Sequence, residues 1–325
     1  MDQRFSGFRS VQLVGTSTFT VSLPKTWAER SKITPKSKLL VIETPDGSLI
    51  VSPPKLEKKV VRLSVEDDAD MAAKMLVAAY LDGFDEVALS PTGYFSEDVR
   101  LAIRRAVRRL VGFEVVEEAP ALIKVELAAE PKALVLETGL SRMSLLVKSA
   151  LELSFGSATT ISATTLSEID EDADRLNFMF ARRLRQGLSN PSTAASSDFN
   201  MISAHDSLMV FRFLERCVDH AVSAATVWGE SKMAHNSRIP DGIAKIAYQV
   251  AGLLAESVSV YANKSTGGLL EVFRKRADLR QSILQLTTAE KRAKNLLVFY
   301  HIGRIVDYAG DIAELVLDEG YGLIK

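Results

Sequence analysis

The segment VFRFLERCVDHA at residues 210–221 returns as VFYHIGRIVDYA at residues 298–309, and six of the twelve positions are identical. The two copies are offset by 88 residues, which is the length of a multi-helix unit rather than of a single helix. From about Leu140 onward the sequence has helical periodicity, and its breaks delimit two three-helix units at about 141–229 and 241–318. We therefore predict that the C-terminal half is one helical unit used twice.

Each copy carries an aspartate, Asp219 or Asp307, within an otherwise apolar helical stretch. The first copy adds Glu215 four residues before Asp219, so these two carboxylates lie on one helix face. Adjacent anions repel one another unless a cation lies between them. The alternative is ordinary ion pairing on the helix surface, because Arg212 and Arg216 each lie three residues before one of these acids.

The composition indicates a protein of two or three domains. The chain has 325 residues, of which 47% are hydrophobic and 25% charged, as in a soluble protein with a substantial core. No apolar run reaches the roughly 18 residues of a membrane span, and the N-terminus lacks the apolar centre of a signal peptide. We therefore expect a cytoplasmic protein with no membrane insertion. The single cysteine, Cys217, excludes an internal disulfide and a cysteine-based zinc site.

Charge is distributed unevenly along the chain. Residues 1–55 contain eight Lys and Arg against four Asp and Glu, whereas the whole chain has a formal net charge of −1. The remainder of the chain is therefore acidic. A small basic head on an acidic body indicates two separate roles.

The patterning predicts a multidomain protein with boundaries at 1–55, 56–130 and 131–325. In the first domain four segments rich in β-branched residues predict an all-β unit, with one helical turn at Lys25–Ser31 and a Pro-Asp-Gly turn at 45–47. Four short strands bury too little surface to fold alone, so we expect this unit to dimerise.

The middle domain alternates strands and amphipathic helices, which predicts a small α+β fold. Its second helix contains the arginine-rich segment AIRRAVRRL at 102–110, which we interpret as a solvated helix face. The C-terminal domain is predicted to be all-α, as tandem three-helix bundles.

The string SVQLVGTSTFTVSLPKTWAERSKITPKSKLLVIETPDGSLIV at 10–51 resembles the AbrB/SpoVT/MazE family of swapped-hairpin DNA-binding domains. The resemblance lies in the order of strand, hydroxyl-rich turn, V-S-L-P-K-x-W, short helix, strand, Pro-Asp-Gly and strand. It implies that two chains interleave into one barrel, a homodimer that presents basic residues to double-stranded promoter or operator DNA. The DNA-binding residues that it implies are Arg9, Thr16, Ser17, Thr18, Lys25 and Arg30. Such cations and hydroxyls contact phosphates; the alternative is a barrel that serves dimerisation alone.

The helical half, 141–325, resembles the PhoU family of phosphate-uptake regulators, which are two tandem three-helix bundles with E/D-x-x-x-D motifs on facing helices. The segment LERCVDHA matches one such motif and DEDADRL at 170–176 matches the other. The second copy has Gly303 in place of Glu215, so we expect one complete metal site rather than two. The metal ligands implied are Asp170, Asp174, Glu215, Asp219 and, in the second copy, Asp307. Oxygen ligands suit Mg²⁺, Mn²⁺, Ca²⁺ or iron, and the resemblance adds zinc.

No nucleotide-binding, metalloprotease or nucleophile-elbow motif occurs in the sequence, so we expect no enzymatic activity. Together the two resemblances predict a DNA-binding transcriptional regulator of phosphate uptake whose metal-binding body receives a signal or a partner. The alternative is a PhoU-type adaptor that restrains a phosphate transporter or sensor by protein–protein contact. In that case phosphate transporter components would be the partners.

Overall fold

The computed structural model describes residues 6–43, 47–53, 58–129, 136–155, 163–189, 201–235 and 241–318. They fall into two compact units, an N-terminal one that ends before Lys58 and a larger one that begins there. The larger unit contains both the middle domain and the helical half.

The N-terminal unit consists of two hairpins and a short helix. Strands β1 (Val11–Val14) and β2 (Thr18–Val21) pair antiparallel, as do β3 (Leu40–Glu43) and β4 (Leu49–Ser52), with helix α1 (Lys25–Arg30) between the hairpins. The four strands and the helical turn predicted from the sequence are thus confirmed. Gly47 has φ +79, a backbone conformation that favours glycine, whereas Pro45 and Asp46 of the predicted turn lie outside the described residues.

The strands of this unit bury none of their residues. Phe19 is 74% exposed, Leu49 65% and Val11 64%. Apolar strand surface of this kind needs a covering partner. A single copy of the unit therefore lacks a core of its own, as its size predicts.

The middle domain is a four-stranded sheet with two helices. Along the chain it runs β5 (Val60–Val65), α2 (Ala69–Leu81), β6 (Glu86–Pro91), α3 (Glu97–Arg109), β7 (Phe113–Ala119) and β8 (Leu122–Leu127). The sheet order is β5-β6-β8-β7; β5 and β6 are parallel and the other pairs are antiparallel. Helices α2 and α3 share one core with the sheet, including Leu76, Leu89 and Ile103. The predicted small α+β arrangement is confirmed.

The helical half consists of two three-helix units. The first contains α4 (Leu136–Phe155), α5 (Ala163–Ser189) and α6 (Met201–His235), and the second α7 (Asp241–Ala262), α8 (Leu269–Ala289) and α9 (Ala293–Asp318). All six helices contribute to one hydrophobic core.

The two copies of the repeat lie on α6 and α9, which pack against each other extensively. Phe213 of α6 stacks on Tyr308 of α9, with ring centroids 5.6 Å apart. His220 of α6 meets His301 of α9, with 2.9 Å between their Nδ1 atoms. Positions 213 and 301 are equivalent in the two copies, and so are 220 and 308. The two contacts are therefore counterparts, and the repeats pack about an approximate internal twofold axis.

One helix among those described, spanning Gly242–Ala262, is long and apolar enough to pass a length-and-composition test for a membrane span. Half of its most apolar window is buried inside the protein. The buried residues Ile243, Val250 and Leu254 belong to the shared helical core. This pattern is that of a core helix.

The middle domain is attached to the first bundle through a buried arginine of α5. Arg182 is 2% exposed; its Nη1 donates to the carbonyl oxygens of Tyr80 at 2.6 Å and Phe84 at 2.9 Å, and its Nη2 lies 3.3 Å from Asp85 Oδ1. One turn later Arg185 pairs with Asp82 at 2.6 Å. A buried guanidinium with several acceptors fixes the geometry of this contact.

Candidate metal centre and nucleic-acid interface

Four carboxylates meet between the facing helices α5 and α6. Asp170 and Asp174 lie one turn apart on α5, and Glu215 and Asp219 lie one turn apart on α6. The charges of Asp170 and Asp219 act on each other, and so do those of Asp174 and Glu215. The helical spacing therefore places the four acids close enough to affect one another's ionisation.

The pKa values of these four groups are all raised. Burial is the main cause throughout, and it raises the pKa of Asp174 to about 6 and that of Glu215 to about 7, with neighbouring carboxylates adding to both effects. The pKa values of Asp170 and Asp219 are also raised, by burial first and then, for Asp219, by Asp170. The cluster thus holds more negative charge than its surroundings compensate.

Arg109, the last residue of α3, reaches this cluster from the middle domain. Its Nη1 lies 2.9 Å from Asp174 Oδ2, and the Asp174 side chain is 13% exposed. Its positive charge opposes the rise in the pKa of Asp170 and of Asp174. The prediction that the segment 102–110 forms a solvated face therefore holds for Arg104, Arg105 and Arg108, which are exposed, but not for Arg109. A contact between residues 65 positions apart leaves no local signal in the sequence.

Glu215 has a buried oxygen that lacks a hydrogen-bond partner. The residue is 9% exposed, and its Oε2 accepts no hydrogen bond from the described residues. Arg212 and Arg216 lie 3.7 Å and 3.9 Å from its carboxylate oxygens, and both arginines are more than half exposed. These pairs are too long for direct hydrogen bonds, so the surface ion pairing weighed in the sequence analysis leaves Glu215 incompletely compensated.

The donor set fits a hard cation. It consists of carboxylate oxygens, as Mg²⁺, Mn²⁺ and Ca²⁺ prefer, and it includes the unpartnered Oε2 of Glu215. In the part of the chain that the structure describes, however, no three acids or histidines converge tightly enough to hold an ion as they stand. Ligation would therefore require these side chains to move, and Asp174 is paired with Arg109.

The second bundle compensates its acids with arginines of its own. Asp307 lies 2.9 Å from Arg280 on α8 and 3.2 Å from Arg304 on its own helix. Arg276 pairs with Glu314 at 3.1 Å and lies across Gly310, where an added Cβ would come within 2.4 Å of the guanidinium. Asp307 is therefore already paired with cations, although its Oδ1, like Glu215 Oε2, accepts no hydrogen bond from the described residues.

His220, which follows Asp219 in sequence, belongs to a different environment from the acids. Its Nδ1 shares a hydrogen bond with His301, so one ring donates and the other accepts. Burial, and then the neighbouring His301, lower the pKa of His220 to about 4. His220 therefore contributes to the contact between the repeats.

In the N-terminal unit, all six residues predicted to contact DNA are exposed. Arg9 precedes β1, the three hydroxyl residues form the β1–β2 turn and the start of β2, and the two cations lie at the ends of α1. Lys25 forms a long ion pair with Glu29 at 3.7 Å, with its side chain 87% exposed. Gly15, at φ +67, provides the left-handed backbone of the turn. The residues concerned are Arg9, Thr16, Ser17, Thr18, Lys25 and Arg30.

Comparison with known proteins finds one matching family model and one similar solved structure. Residues 12–59 match the family described as antidote-toxin recognition MazE, bacterial antitoxin. The crystal structure of PhoU from Pseudomonas aeruginosa is similar to 57% of this chain and 96% of its own, with 21% identity and a TM-score of 0.44. No curated protein matches the chain.

The first likeness is confined to the N-terminal unit, over residues 12–59. The match agrees with the resemblance of the N-terminal segment drawn from the sequence. The roles of the individual candidate residues stay predictions.

We predict that Glu215 makes a contribution to the stability of the metal-free protein that falls as the pH rises from about 5 to about 8. Burial raises the pKa of Glu215 from its ordinary 4.5 to about 7, so the folded state retains a proton that the unfolded chain releases. This contribution is complete below pH 4.5 and is lost as the pH rises through about 7. For Glu215 it is on the order of 3 kcal/mol.

The measurement is the thermal midpoint in EDTA for the wild type, Glu215→Gln and, as a matched control, the exposed Glu168→Gln. The Glu215→Gln variant should show a flatter pH profile, because its neutral amide does not ionise. The control should follow the wild type. Identical profiles for wild type and Glu215→Gln would contradict the prediction.

Proposed function

We propose that this protein is a DNA-binding regulator whose helical body binds a divalent metal ion. The match of residues 12–59 to the MazE family carries the DNA-binding part, because members of the resembling AbrB/SpoVT/MazE group bind DNA through this unit. The exposed hydroxyl-rich turn and the cations at the ends of α1 supply groups that suit phosphate contacts. The net charge of the rest of the chain is negative, so DNA contact falls to this unit.

A homodimer accounts for the exposed apolar strands of the N-terminal unit. Phe19, Val11 and Leu49 are exposed in a single copy, and interleaving with a second copy would cover them. Each copy has an excess of four positive charges in residues 1–55, so a dimer presents about eight to a duplex. Dimerisation and DNA binding are thus two parts of one proposal about the N-terminal unit.

The metal part of the proposal rests on the unpartnered Glu215 oxygen within four facing carboxylates. Asp170, Asp174, Glu215 and Asp219 would hold the ion, which would supply the positive charge that the cluster lacks. Asp307 is left out of this set because Arg280 and Arg304 already neutralise it.

The process that we assign to this regulator is phosphate uptake. The assignment rests on the sequence resemblance of LERCVDHA and DEDADRL to PhoU motifs. We also propose that the protein is located in the cytoplasm. The rival function is that of an adaptor that binds a transporter or sensor without contacting DNA, with the N-terminal unit serving dimerisation alone.

We predict that the full-length protein binds the promoter of its own gene more tightly than a scrambled duplex, as measured by fluorescence anisotropy. Affinity should fall steeply between about 50 and 300 mM salt, with a logarithmic slope of about −5 if six phosphates are contacted. Replacing Arg9 and Lys25 together by alanine should weaken binding and reduce the slope by about two.

The matched control removes the same charge from the middle domain, through the exposed pair Arg105→Ala and Arg108→Ala. This variant should bind DNA like the wild type. Equal weakening by both double variants would mean that overall charge, not the N-terminal unit, attracts DNA. Absence of binding to either duplex would favour the adaptor.

We predict that Mn²⁺ binds the wild-type protein and that Glu215→Gln weakens this binding by more than about tenfold, since even changes around a ligand cost that much. Isothermal titration calorimetry gives both affinities. Asp307→Asn should bind Mn²⁺ like the wild type, because this aspartate is paired with arginines. An Asp307→Asn defect as large as that of Glu215→Gln, or no binding by the wild type, would contradict the proposed site.

A further inference from the structure

Arg109 occupies a position that neither the proposed metal site nor the DNA surface explains. It ends α3 of the middle domain, yet its guanidinium contacts Asp174 of the bundle at 2.9 Å. The arginine is 42% exposed at its side chain, whereas Asp174 is 13% exposed. The carboxylate is thus held within the protein while the cation reaches it from the solvent side.

Among the described residues, Arg182 and Arg185 of α5 pair with the middle domain, Phe178 packs against its core, and Arg109 reaches α5 from the other side. Arg182 is buried and satisfies acceptors on Tyr80, Phe84 and Asp85. Asp174 lies eight residues earlier on the same helix, roughly 12 Å away at 1.5 Å per residue. We expect the Arg182 contact to stay closed, because opening it would leave a buried charge without partners, which is costly. The half-exposed Arg109 contact is the one that can open.

We propose that a divalent cation and Arg109 compete for the carboxylate cluster, so that metal binding releases the end of α3 from α5. This inference rests on the metal binding proposed above. A divalent ion held by Asp174 would stand within a few ångströms of the guanidinium, and like charges at that distance repel. The structure describes the arginine-bound arrangement, in which no three described acids converge on an ion.

Competition has a reciprocal consequence. If metal weakens the contact between Arg109 and Asp174, loss of Arg109 must strengthen metal binding by the same factor. Couplings of this kind typically change affinity by about 5- to 150-fold. Metal binding in the bundle would then be transmitted to the middle domain through the side chain of Arg109.

The test compares Mn²⁺ binding by full-length wild type, Arg109→Gln and Arg109→Lys, using isothermal titration calorimetry. Arg109→Gln should bind Mn²⁺ at least about fivefold more tightly. Arg109→Lys keeps the charge and should stay near the wild type. The matched control is Arg108→Gln, an exposed neighbour with the same change of charge, which should leave the affinity unchanged.

Hydrogen exchange provides a readout that does not depend on affinity. Addition of Mn²⁺ to the wild type should speed amide exchange in the last turn of α3 and in residues 110–112. In Arg109→Gln exchange there should be fast already and insensitive to Mn²⁺. A purely structural role for Arg109 would change exchange without any effect of metal.

The outcomes separate this inference from the proposed function. Wild-type affinity or weaker binding in Arg109→Gln, with Glu215→Gln still defective, would overturn the competition and leave the metal site intact. Absence of Mn²⁺ binding by both wild type and Arg109→Gln would overturn the metal site and the competition together. Tighter binding with metal-dependent exchange would support both.

Discussion

The repulsion among four carboxylates between α5 and α6 is the constraint on which the arrangement of the helical body depends. Burial raises the pKa of Asp174 to about 6 and that of Glu215 to about 7, so protons, arginines or a metal ion must relieve the charge. The structure provides one strong partner, Arg109, and leaves one oxygen of Glu215 without a hydrogen bond. A cluster that is only partly compensated is suited to accept or release a cation, since either change shifts its balance.

The second bundle meets the same constraint in a different way. Its copy of the repeat lacks the glutamate, because Gly303 stands at the position of Glu215. On the facing helix, Arg276 and Arg280 have the four-residue spacing of Asp170 and Asp174, and they pair with Glu314 and Asp307. One repeat is therefore locked by internal ion pairs while the other retains an excess of negative charge.

The sequence was sufficient to predict features that depend on local pattern. Alternation and turn residues located the strands of the N-terminal and middle domains, and the repeat located the two three-helix units. The four-residue spacing placed Glu215 and Asp219 on one helix face. Contacts between distant segments could not be predicted from the sequence. The segment 102–110 was interpreted as a solvated face, yet Arg109 contacts Asp174. Arg182 likewise has no local sign of burial, because its acceptors lie about 100 positions away. Where the two domains meet, tertiary packing decides what a charged residue does.

The central claim is that a cation bound between α5 and α6 exchanges with Arg109. Anomalous diffraction from crystals of the full-length protein grown with Mn²⁺ tests it most directly. The account predicts a manganese peak within bonding distance of carboxylates from both helices, including Glu215, with the guanidinium of Arg109 moved off Asp174. A map without a peak between these helices, in which Arg109 still contacts Asp174 at full Mn²⁺ concentration, would contradict it.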